Sequence, residues 1–255
     1  MPASTPMPVL SPWNALQQDI VDCERCPRLR TYCRQVAITR RAAFRDQVYW
    51  GRPVPNLGSP SARLLIVGLA PAAHGANRTG RLFTGDRSGD FLFEAMYATG
   101  FCNQPTAMRA DDGLRLIDCA ITGAAHCAPP DNKPTPAELV NCQPFLDRTV
   151  ALMPHLQGIL CLGKIGFDTA IALYKRRGWL VPKAPRPQFG NAALHLFPAA
   201  PWLLCVYHPS QQNTFTRKLT QQMLQDVFRI ARAHLHPIKR DGTLVRGKNA
   251  KPESE

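Results

Sequence analysis

The sequence lacks the patterns that identify several common classes of protein. No apolar run approaches the roughly 20 residues that a membrane-spanning helix needs. The start of the chain, MPASTPMPVLSPW, does not show the basic and then apolar order of a secretory signal peptide. Both absences argue against a membrane protein and a secreted one, so we expect a cytoplasmic protein.

Acidic residues are scarce: 18 Asp and Glu stand against 31 Lys and Arg, which gives a formal net charge of +13 at pH 7. The charged tail explains little of this, because residues 239–255 hold five basic against three acidic side chains and contribute only +2. The remaining +11 belongs to the body of the chain. A basic body favours a polyanionic partner, and nucleic acid is the commonest one.

The cysteines number nine, an odd count that argues against a disulfide framework and favours metal binding by any clustered thiols. Cys23 and Cys26 form a C-x2-C pair, a spacing that lets two thiolates from one turn reach one metal centre. Cys127 and Cys142 are the second predicted pair, with Cys33 in reserve. Zinc and a four-iron–four-sulfur cluster both accept four thiolates, and the spacing leaves this choice open. The cysteines predicted to pack in the core are Cys119, Cys161 and Cys205.

Short apolar runs alternate with amphipathic helical stretches along the body of the chain. The predicted strands are 63–69, 116–122, 158–163, 193–197 and a last core strand within 201–210. The predicted helices are a short stretch at 13–26, 88–99, with Ser88 as its N-cap, 136–153, 164–177 and 214–235. This alternation predicts an α/β fold of three layers, α/β/α, around a small and mostly parallel sheet. We expect a flexible segment at 1–16, one domain at 17–236 and a disordered basic tail at 237–255.

Three polar turns follow predicted strands. They are GLAPAAHG at 68–75, GAAHCAPPDNKPTP at 123–136 and HPSQQNTFTRK at 208–218. The first has neither the GxGxxG pattern of dinucleotide-binding proteins nor a GxxxxGK[ST] phosphate loop. Because ligands of open α/β sheets bind beyond the carboxyl ends of the strands, we predict one composite pocket made by all three turns.

Three stretches of the chain resemble motifs of the uracil-DNA glycosylase superfamily, most closely its family 5, the type b enzymes of some bacteria and archaea. These are GLAPAAHGANRTGRLFTGDRSGDFL, CAPPDNKPTP and HPSQQNTFTRKLT, and the similarity runs from about residue 17 to 235. The resemblance implies a DNA repair enzyme that flips uracil out of DNA, hydrolyses its N-glycosidic bond and leaves an abasic site. It further implies a cytoplasmic, nucleoid-associated monomer that acts on double-stranded and also single-stranded DNA. It also implies a four-iron–four-sulfur (4Fe-4S) cluster on Cys23, Cys26, Cys127 and Cys142.

The resemblance also implies roles for single residues. The predicted substrate-binding residues are Gly68, Ala70, Ala72, Ala73, His74, Phe83 and Gly123, with the Phe83 ring stacking on the base. His208 is the predicted donor to the leaving base. Asp86 and then Asn132 are the candidates for orienting the water, although Asp86 has an alternative role as a capping or loop-ordering residue. The predicted DNA-binding residues are Ser210, Gln211, Asn213, Thr214, Phe215 and Arg217, of which Thr214 and Phe215 are candidate wedges.

The chain departs from the superfamily pattern at two points. Many members carry Asp, Glu or Asn early in the first motif, where this chain has Ala72 and Ala73. Related families place Asn four residues before the loop cysteine, where this chain has Gly123. With less reading of the base edge, the pocket is expected to accept other deaminated bases, such as hypoxanthine, beside uracil.

Two other functions remain open on the residues alone. The first is a zinc-stapled nucleic-acid-binding module without catalysis, which the bound metal would identify. The second is a small-molecule hydrolase acting on free nucleosides, which would not need a basic body.

Overall fold

The computed structural model describes residues 10–180 and 185–236. Its helices are α1 (Pro12–Val21), α2 (Pro27–Thr39), α3 (Ala76–Thr79), α4 (Arg87–Ala98), α5 (Pro136–Ala151), α6 (Gly163–Arg176), α7 (Gln211–Phe215) and α8 (Gln221–Ala233). Its strands are β1 (Leu57–Gly58), β2 (Leu64–Gly68), β3 (Cys119–Gly123), β4 (Gly158–Leu162), β5 (Leu194–His195) and β6 (Trp202–Val206). Over these described ranges, the length and apolar content of every helix fall short of a membrane span.

The strands form one sheet in the order β1-β3-β2-β4-β6-β5. The four central strands run parallel, and the two-residue edge strands β1 and β5 are antiparallel to their neighbours. Every residue of the central strands is buried. Burial on both faces explains why these strands are continuous apolar runs in the sequence rather than alternating ones.

Helices cover both faces of the sheet. On one face α4 and α8 pack against the central strands, through residues that include Leu92, Phe93, Val227 and Phe228. On the other face α1, α5 and α6 do so, through residues that include Leu16, Phe145 and Phe167. The three cysteines predicted to lie in the core, Cys119, Cys161 and Cys205, are buried there. The predicted three-layer α/β/α fold with a mostly parallel sheet is confirmed.

The predicted single helix at 214–235 is wrong, because α7 ends at Phe215 and α8 begins at Gln221. Arg217 lies between them with a left-handed φ of 55°, which a continuous right-handed helix excludes. Thr220 then starts the second helix, and its hydroxyl accepts a hydrogen bond of 3.2 Å from the backbone N–H of Met223. The turn after β6 therefore carries a short helix of its own.

The N-terminal part differs from the prediction in two ways. Helix α1 begins at Pro12 and ends at Val21, within one residue of the start of the predicted helical stretch at 13–26. It buries Trp13 and Leu16, so residues 12–16 of the segment expected to be flexible are helical. Helix α2 is an addition to the predicted elements, and Pro27 occupies its first turn, where a missing N–H costs nothing. Residues 1–9 and the predicted tail at 237–255 lie outside the described residues.

Gly158 at the start of β4 provides a test of the sheet packing. A Cβ at this position would overlap the indole ring of Trp202, and that ring is held by a hydrogen bond of 3.2 Å to the carbonyl of His234. We expect Gly158→Ala to lower the free energy of unfolding by about 1–3 kcal/mol, the usual cost of overpacking. Gly190→Ala is the matched control, because its Cβ would meet only the Cβ of Ala193 at 3.5 Å. Urea unfolding measures both, and equal stability of the two variants would contradict this account.

Candidate active site

The polar turns after β2 and β3 leave the sheet side by side. Gly68 and Gly123 end their strands in register. Beyond them, the N–H of Ala124 donates to the carbonyl of Gly68 at 2.9 Å, and the N–H of Ala125 donates to that of Leu69 at 3.0 Å. The pairing of the two strands is thus continued into the two turns, which fixes their relative position.

The turn after β6 reaches the other two across β4. Strand β4 has no polar turn at its end, because it passes at Gly163 directly into α6. Gly163 has a φ of 85°, and a Cβ there would lie 2.9 Å from the Cβ of His208. The missing side chain leaves the space in which His208 stands, so a glycine just beyond β4 positions a histidine just beyond β6.

The three turns enclose a cavity of about 590 Å³, a size typical of ligand pockets. The predicted residues that line it are Gly68, Ala70, Ala72, Phe83, Asp86, Gly123, Asn132, His208, Ser210 and Gln211. Its other lining residues include Leu69, Leu82, Arg87, Thr122 and Gln212. The structure therefore brings all three predicted catalytic residues to one cavity.

A wider groove of about 1060 Å³ adjoins this cavity. Ala72, Asp86, Arg87, Asn132 and Gln211 line both spaces. Ala73 and His74, predicted to bind substrate, line the groove rather than the cavity. The groove also has arginines that the sequence motifs do not single out: Arg41, Arg78, Arg87 and Arg109. Arg78 and Arg87 lie within the first motif, whereas for Arg41 and Arg109 the net positive charge of the body is the sequence signal that points to such a surface.

Arg78 braces the loop between β2 and Asp86. Its Nε donates to the carbonyl of His74 at 2.7 Å, and its Nη2 donates to the carbonyl of Gly85 at 2.8 Å. The guanidinium also lies 4.0 Å from the ring centre of Phe44. His74 in turn shares a hydrogen bond of 3.1 Å with the hydroxyl of Tyr49. These contacts tie both ends of the loop to one side chain.

Phe83 is fixed beside Gly68 at the end of β2. A Cβ on Gly68 would lie 2.8 Å from the ring atom Cζ of Phe83, so the glycine is what allows the ring to lie there. The backbone of Phe83 is equally crowded, because a Cβ on Gly89 would overlap its carbonyl oxygen. Its φ of 53° is left-handed, which is uncommon for an aromatic residue and requires such constraints. The partly exposed ring borders the cavity.

Asp86, and not Ser88, is the N-cap of α4. Its Oδ1 accepts a hydrogen bond of 3.0 Å from the N–H of Gly89. The other carboxylate oxygen lies against Gly75, where a Cβ would overlap it. Burial raises the pKa of Asp86 above the ordinary value for a carboxyl group. The Asp86 side chain thus caps the helix and also lines the cavity, which are the places that its two predicted roles require.

His208 stands at the beginning of the turn after β6. Burial lowers the pKa of its imidazole to about 4, so the ring is neutral at pH 7. The carbonyl of His208 accepts hydrogen bonds from the side chain of Asn213 at 2.9 Å and from the N–H of Ser210 at 2.8 Å. Asn213, predicted to contact DNA, therefore uses its amide inside the protein to hold the His208 backbone.

The later residues of this turn form α7 and its N-cap, of which Ser210, Gln211 and Gln212 border the cavity and Phe215 is exposed. Ser210 caps α7 and accepts from the N–H of Asn213 at 3.4 Å, and Thr214 donates within α7 to the carbonyl of Gln211 at 3.2 Å. The Phe215 side chain is 66% exposed, and the guanidinium of Arg87 lies 5.6 Å from its ring centre. Of the predicted DNA-binding residues, Gln211, Phe215 and Arg217 are the exposed ones.

The four cysteines predicted to bind metal converge beside the first turns of α2 and α5. Burial first, and then the nearby Cys26 and Cys23, raise the pKa of the Cys142 thiol to about 12. A hydrogen bond with Cys33, burial and the charges of Cys33 and Cys142 raise the pKa of Cys127. Such mutual effects require the sulfurs to be close together. Cys33, the predicted reserve ligand, also donates to the carbonyl of Ala128 at 3.5 Å.

The spacing of these thiols bears on the kind of metal centre. Among the described residues, no three Cys, His, Asp or Glu side chains are placed to hold a single metal ion. A zinc ion would need four sulfurs at about 2.3 Å from one point. A four-iron cluster is wider, since each of its cysteines binds a different iron atom. The many buried cysteines are compatible with the iron–sulfur cluster that the resemblance implies.

Comparison with known families identifies the class of protein. The model of the uracil DNA glycosylase superfamily matches residues 55–232, which include all three polar turns. The chain belongs to this superfamily.

Three curated relatives, each named a type-5 uracil-DNA glycosylase, define its place within the superfamily. The one from Mycobacterium bovis is 49% identical over 211 residues, 82% of this chain and 77% of the relative. The one from Thermus thermophilus is 42% identical over 84% of this chain and 94% of the relative. The one from Pyrobaculum aerophilum is 40% identical over 84% and 89%. This similarity places the chain with the type-5 members.

The charge state of His208 can be measured directly. We expect its imidazole to titrate with a midpoint near pH 4, because burial disfavours the charged ring. NMR of protein with isotope-labelled histidine gives the midpoint, and the signal that disappears in His208→Asn assigns it. A midpoint near the ordinary histidine value of about 6.5 would show that the ring is solvated.

Proposed function

We propose that the protein hydrolyses the N-glycosidic bond between uracil and deoxyribose in DNA and leaves an abasic site. Membership of the superfamily and the names of its type-5 relatives support this activity. The structural observation that carries it is the single cavity lined by Phe83, Asp86, Asn132 and His208. The cavity lies beyond the carboxyl ends of parallel strands, where ligands of such sheets bind.

The chemistry requires stabilisation of a leaving base that becomes negative. In the proposal, the flipped base stacks on the Phe83 ring and meets backbone at Gly68, where no side chain intervenes. The neutral imidazole of His208 donates a hydrogen bond to the oxygen of the base as the bond from C1′ to the base nitrogen breaks. The lowered pKa of His208 supports an uncharged donor. The oxygen of the base, which accepts this hydrogen bond, gains negative charge only in the transition state, so the bond is strongest there.

A water molecule then has to add at C1′ of the sugar. Asp86 and Asn132 both line the boundary between the cavity and the adjoining groove. In the proposal, the Asp86 carboxylate orients this water and accepts its proton, and its raised pKa suits a general base. Asn132 holds the water, or the base, with its amide. The cap on α4 keeps the carboxylate in place.

The groove is the proposed path of the DNA strand that flanks the flipped nucleotide. Arg41, Arg87 and Arg109 line it and would contact phosphates. Phe215, exposed beside Arg87, would fill the space that the flipped base leaves in the stack. Gln211, Ser210 and Arg217 are further proposed DNA contacts.

The range of bases depends on the turn after β3. Gly123 presents no side chain to the cavity, and a Cβ there would lie 2.5 Å from the carbonyl oxygen of Ala125. The amide that reads the base edge in related families has no counterpart at this position. Hypoxanthine is therefore a proposed substrate beside uracil. Strand-cleavage assays on oligonucleotides with uracil, hypoxanthine or thymine opposite guanine test this, and release of uracil alone would contradict the permissive pocket.

The proposed cofactor is a 4Fe-4S cluster held by Cys23, Cys26, Cys127 and Cys142. It supplies no step of a hydrolysis, and its proposed role is to pin the segment before α2 to the turn before α5. The buried, converging thiols support this assignment.

The acid side of the pH profile separates the two catalytic candidates. We expect base release to fall as the pH drops through the raised pKa of Asp86, because the protonated carboxyl cannot accept a proton. Asp86→Asn should lower the rate about 10²- to 10⁴-fold and remove this pH dependence, since Asn still caps α4. His208→Asn should lower the rate and keep the acid limb. An unchanged acid limb in Asp86→Asn would rule out Asp86 as the base.

Replacing a proposed cluster ligand tests the metal centre. We expect purified protein to contain iron and a visible absorbance, and Cys23→Ala to lose both together with stability, because two chain segments lose their common anchor. Cys161→Ala is the control, since Cys161 lies in the core away from the centre. Metal analysis and thermal unfolding measure the outcome. Zinc in place of iron would instead support the non-catalytic, zinc-stapled protein.

A further inference from the structure

Asn132 lies in a backbone conformation that has to be held. Asp131 and Asn132 have φ values of 54° and 56°, so two successive non-glycine residues are left-handed. Each such residue costs about 1–2 kcal/mol, although Asp and Asn tolerate the region better than others. Two backbone hydrogen bonds support the turn locally, from Asn132 to the carbonyl of Pro129 at 3.2 Å and from Lys133 to that of Pro130 at 2.9 Å.

A side chain from another part of the chain adds the third support. Arg28, in the first turn of α2, donates from Nη2 to the carbonyl of Lys133 at 3.2 Å. The same guanidinium donates from Nε and Nη2 to the two carboxylate oxygens of Glu138, both at 2.8 Å. A planar fork with fixed donor directions can make these three bonds at once, which a lysine cannot.

Glu138 is itself fixed. It lies in the first turn of α5 with its side chain 8% exposed. Its carboxylate accepts from the N–H of Thr135 at 2.7 Å, and the Thr135 hydroxyl accepts from the N–H of Glu138 at 3.3 Å, which makes a capping box. The hydrogen bond from Arg28 holds the pKa of Glu138 below its ordinary value, so the carboxylate is charged at neutral pH. The fixed carboxylate of Glu138 therefore holds the Arg28 guanidinium in place, and the guanidinium in turn holds the turn of Asn132 through the carbonyl of Lys133.

We propose that Arg28 is a positioning residue that keeps the turn of Asn132 in its left-handed form and so aims the Asn132 amide at the cavity. This inference rests on the proposed function, in which Asn132 orients water or base. Arg28 itself lines neither the cavity nor the groove. Its loss should therefore affect the rate of base release and leave the binding of DNA unchanged.

The test is a double-mutant cycle on uracil-containing DNA. We expect Arg28→Gln to lower the single-turnover rate about 10- to 100-fold, the effect of a misplaced reacting group, with the dissociation constant of the DNA within about twofold of wild type. In an Asn132→Ala background the same change should have no further effect, because the residue it positions is gone. Arg28→Lys should not restore the rate. Additive effects of the two changes would overturn the proposal, as would an unaffected rate in Asn132→Ala alone.

Arg34→Gln is the matched control. Arg34 lies on the same helix, is 56% exposed and pairs with Glu24, so its replacement removes an arginine and an ion pair of α2 without touching the turn. We expect a wild-type rate from this variant. Iron content of both variants should match the wild type, since none of the four thiolates is replaced. Arg28→Gln should unfold at a lower temperature than Arg34→Gln, because it leaves the buried Glu138 carboxylate without its bidentate partner.

A readout without turnover distinguishes failure of this inference from failure of the proposed function. The NMR signal of the Asn132 side-chain amide, assigned by its loss in Asn132→Ala, should shift or broaden in Arg28→Gln and stay in place in Arg34→Gln. A wild-type protein that releases no uracil but shows this shift would contradict the function and keep the positioning role. An unchanged signal in Arg28→Gln would overturn the positioning role whatever the activity.

Discussion

The site depends on the close approach of backbone and side chain where glycine has no Cβ. Gly68 admits the ring of Phe83, Gly75 admits the carboxylate of Asp86, and Gly163 admits His208. At each point a single methyl group would displace the functional side chain. The carboxyl ends of parallel strands lie at one edge of the sheet, but the space left by each missing Cβ decides which side chains can meet there.

A second constraint comes from the cysteine-bearing segments. The chain before α2 and the turn before α5 carry only two residues of the cavity, Gly123 and Asn132. The thiols and the fork of Arg28 on Glu138 join these two segments, and the capping box of Thr135 fixes Glu138. The stiffness of that junction is transmitted to a turn with two left-handed residues. In the proposed function, the cysteine-bearing segments would support the chemistry by geometry rather than by reactivity.

More of the architecture than of the local structure of the site could be predicted from the sequence. Four buried strands and their helices are readable because burial on both faces leaves continuous apolar runs, and the turns that end three of them are visibly polar. The break between α7 and α8 is not readable in the same way, since the left-handed φ of Arg217 interrupts a stretch with helical periodicity. Asp86 as the N-cap is hidden by Ser88, an equally good capping residue two positions later. Arg41 and Arg109 come from segments outside the first motif, and only the fold brings them beside Arg78 and Arg87 in the groove.

The double placement of Asp86 links the chemistry to the folding of the domain. One carboxylate oxygen holds the N–H of Gly89 at the beginning of α4, and that helix forms part of the core on its face of the sheet. In the proposed mechanism, a proton taken up by this group silences the base. Because burial raises the pKa of Asp86, the folded domain holds that proton more tightly than the unfolded chain does, and this group therefore adds stability as the pH falls through its pKa. Acid would thus stop catalysis while it relieves the cost of burying a charge at the beginning of α4, and an adaptation that retunes one property carries the other with it.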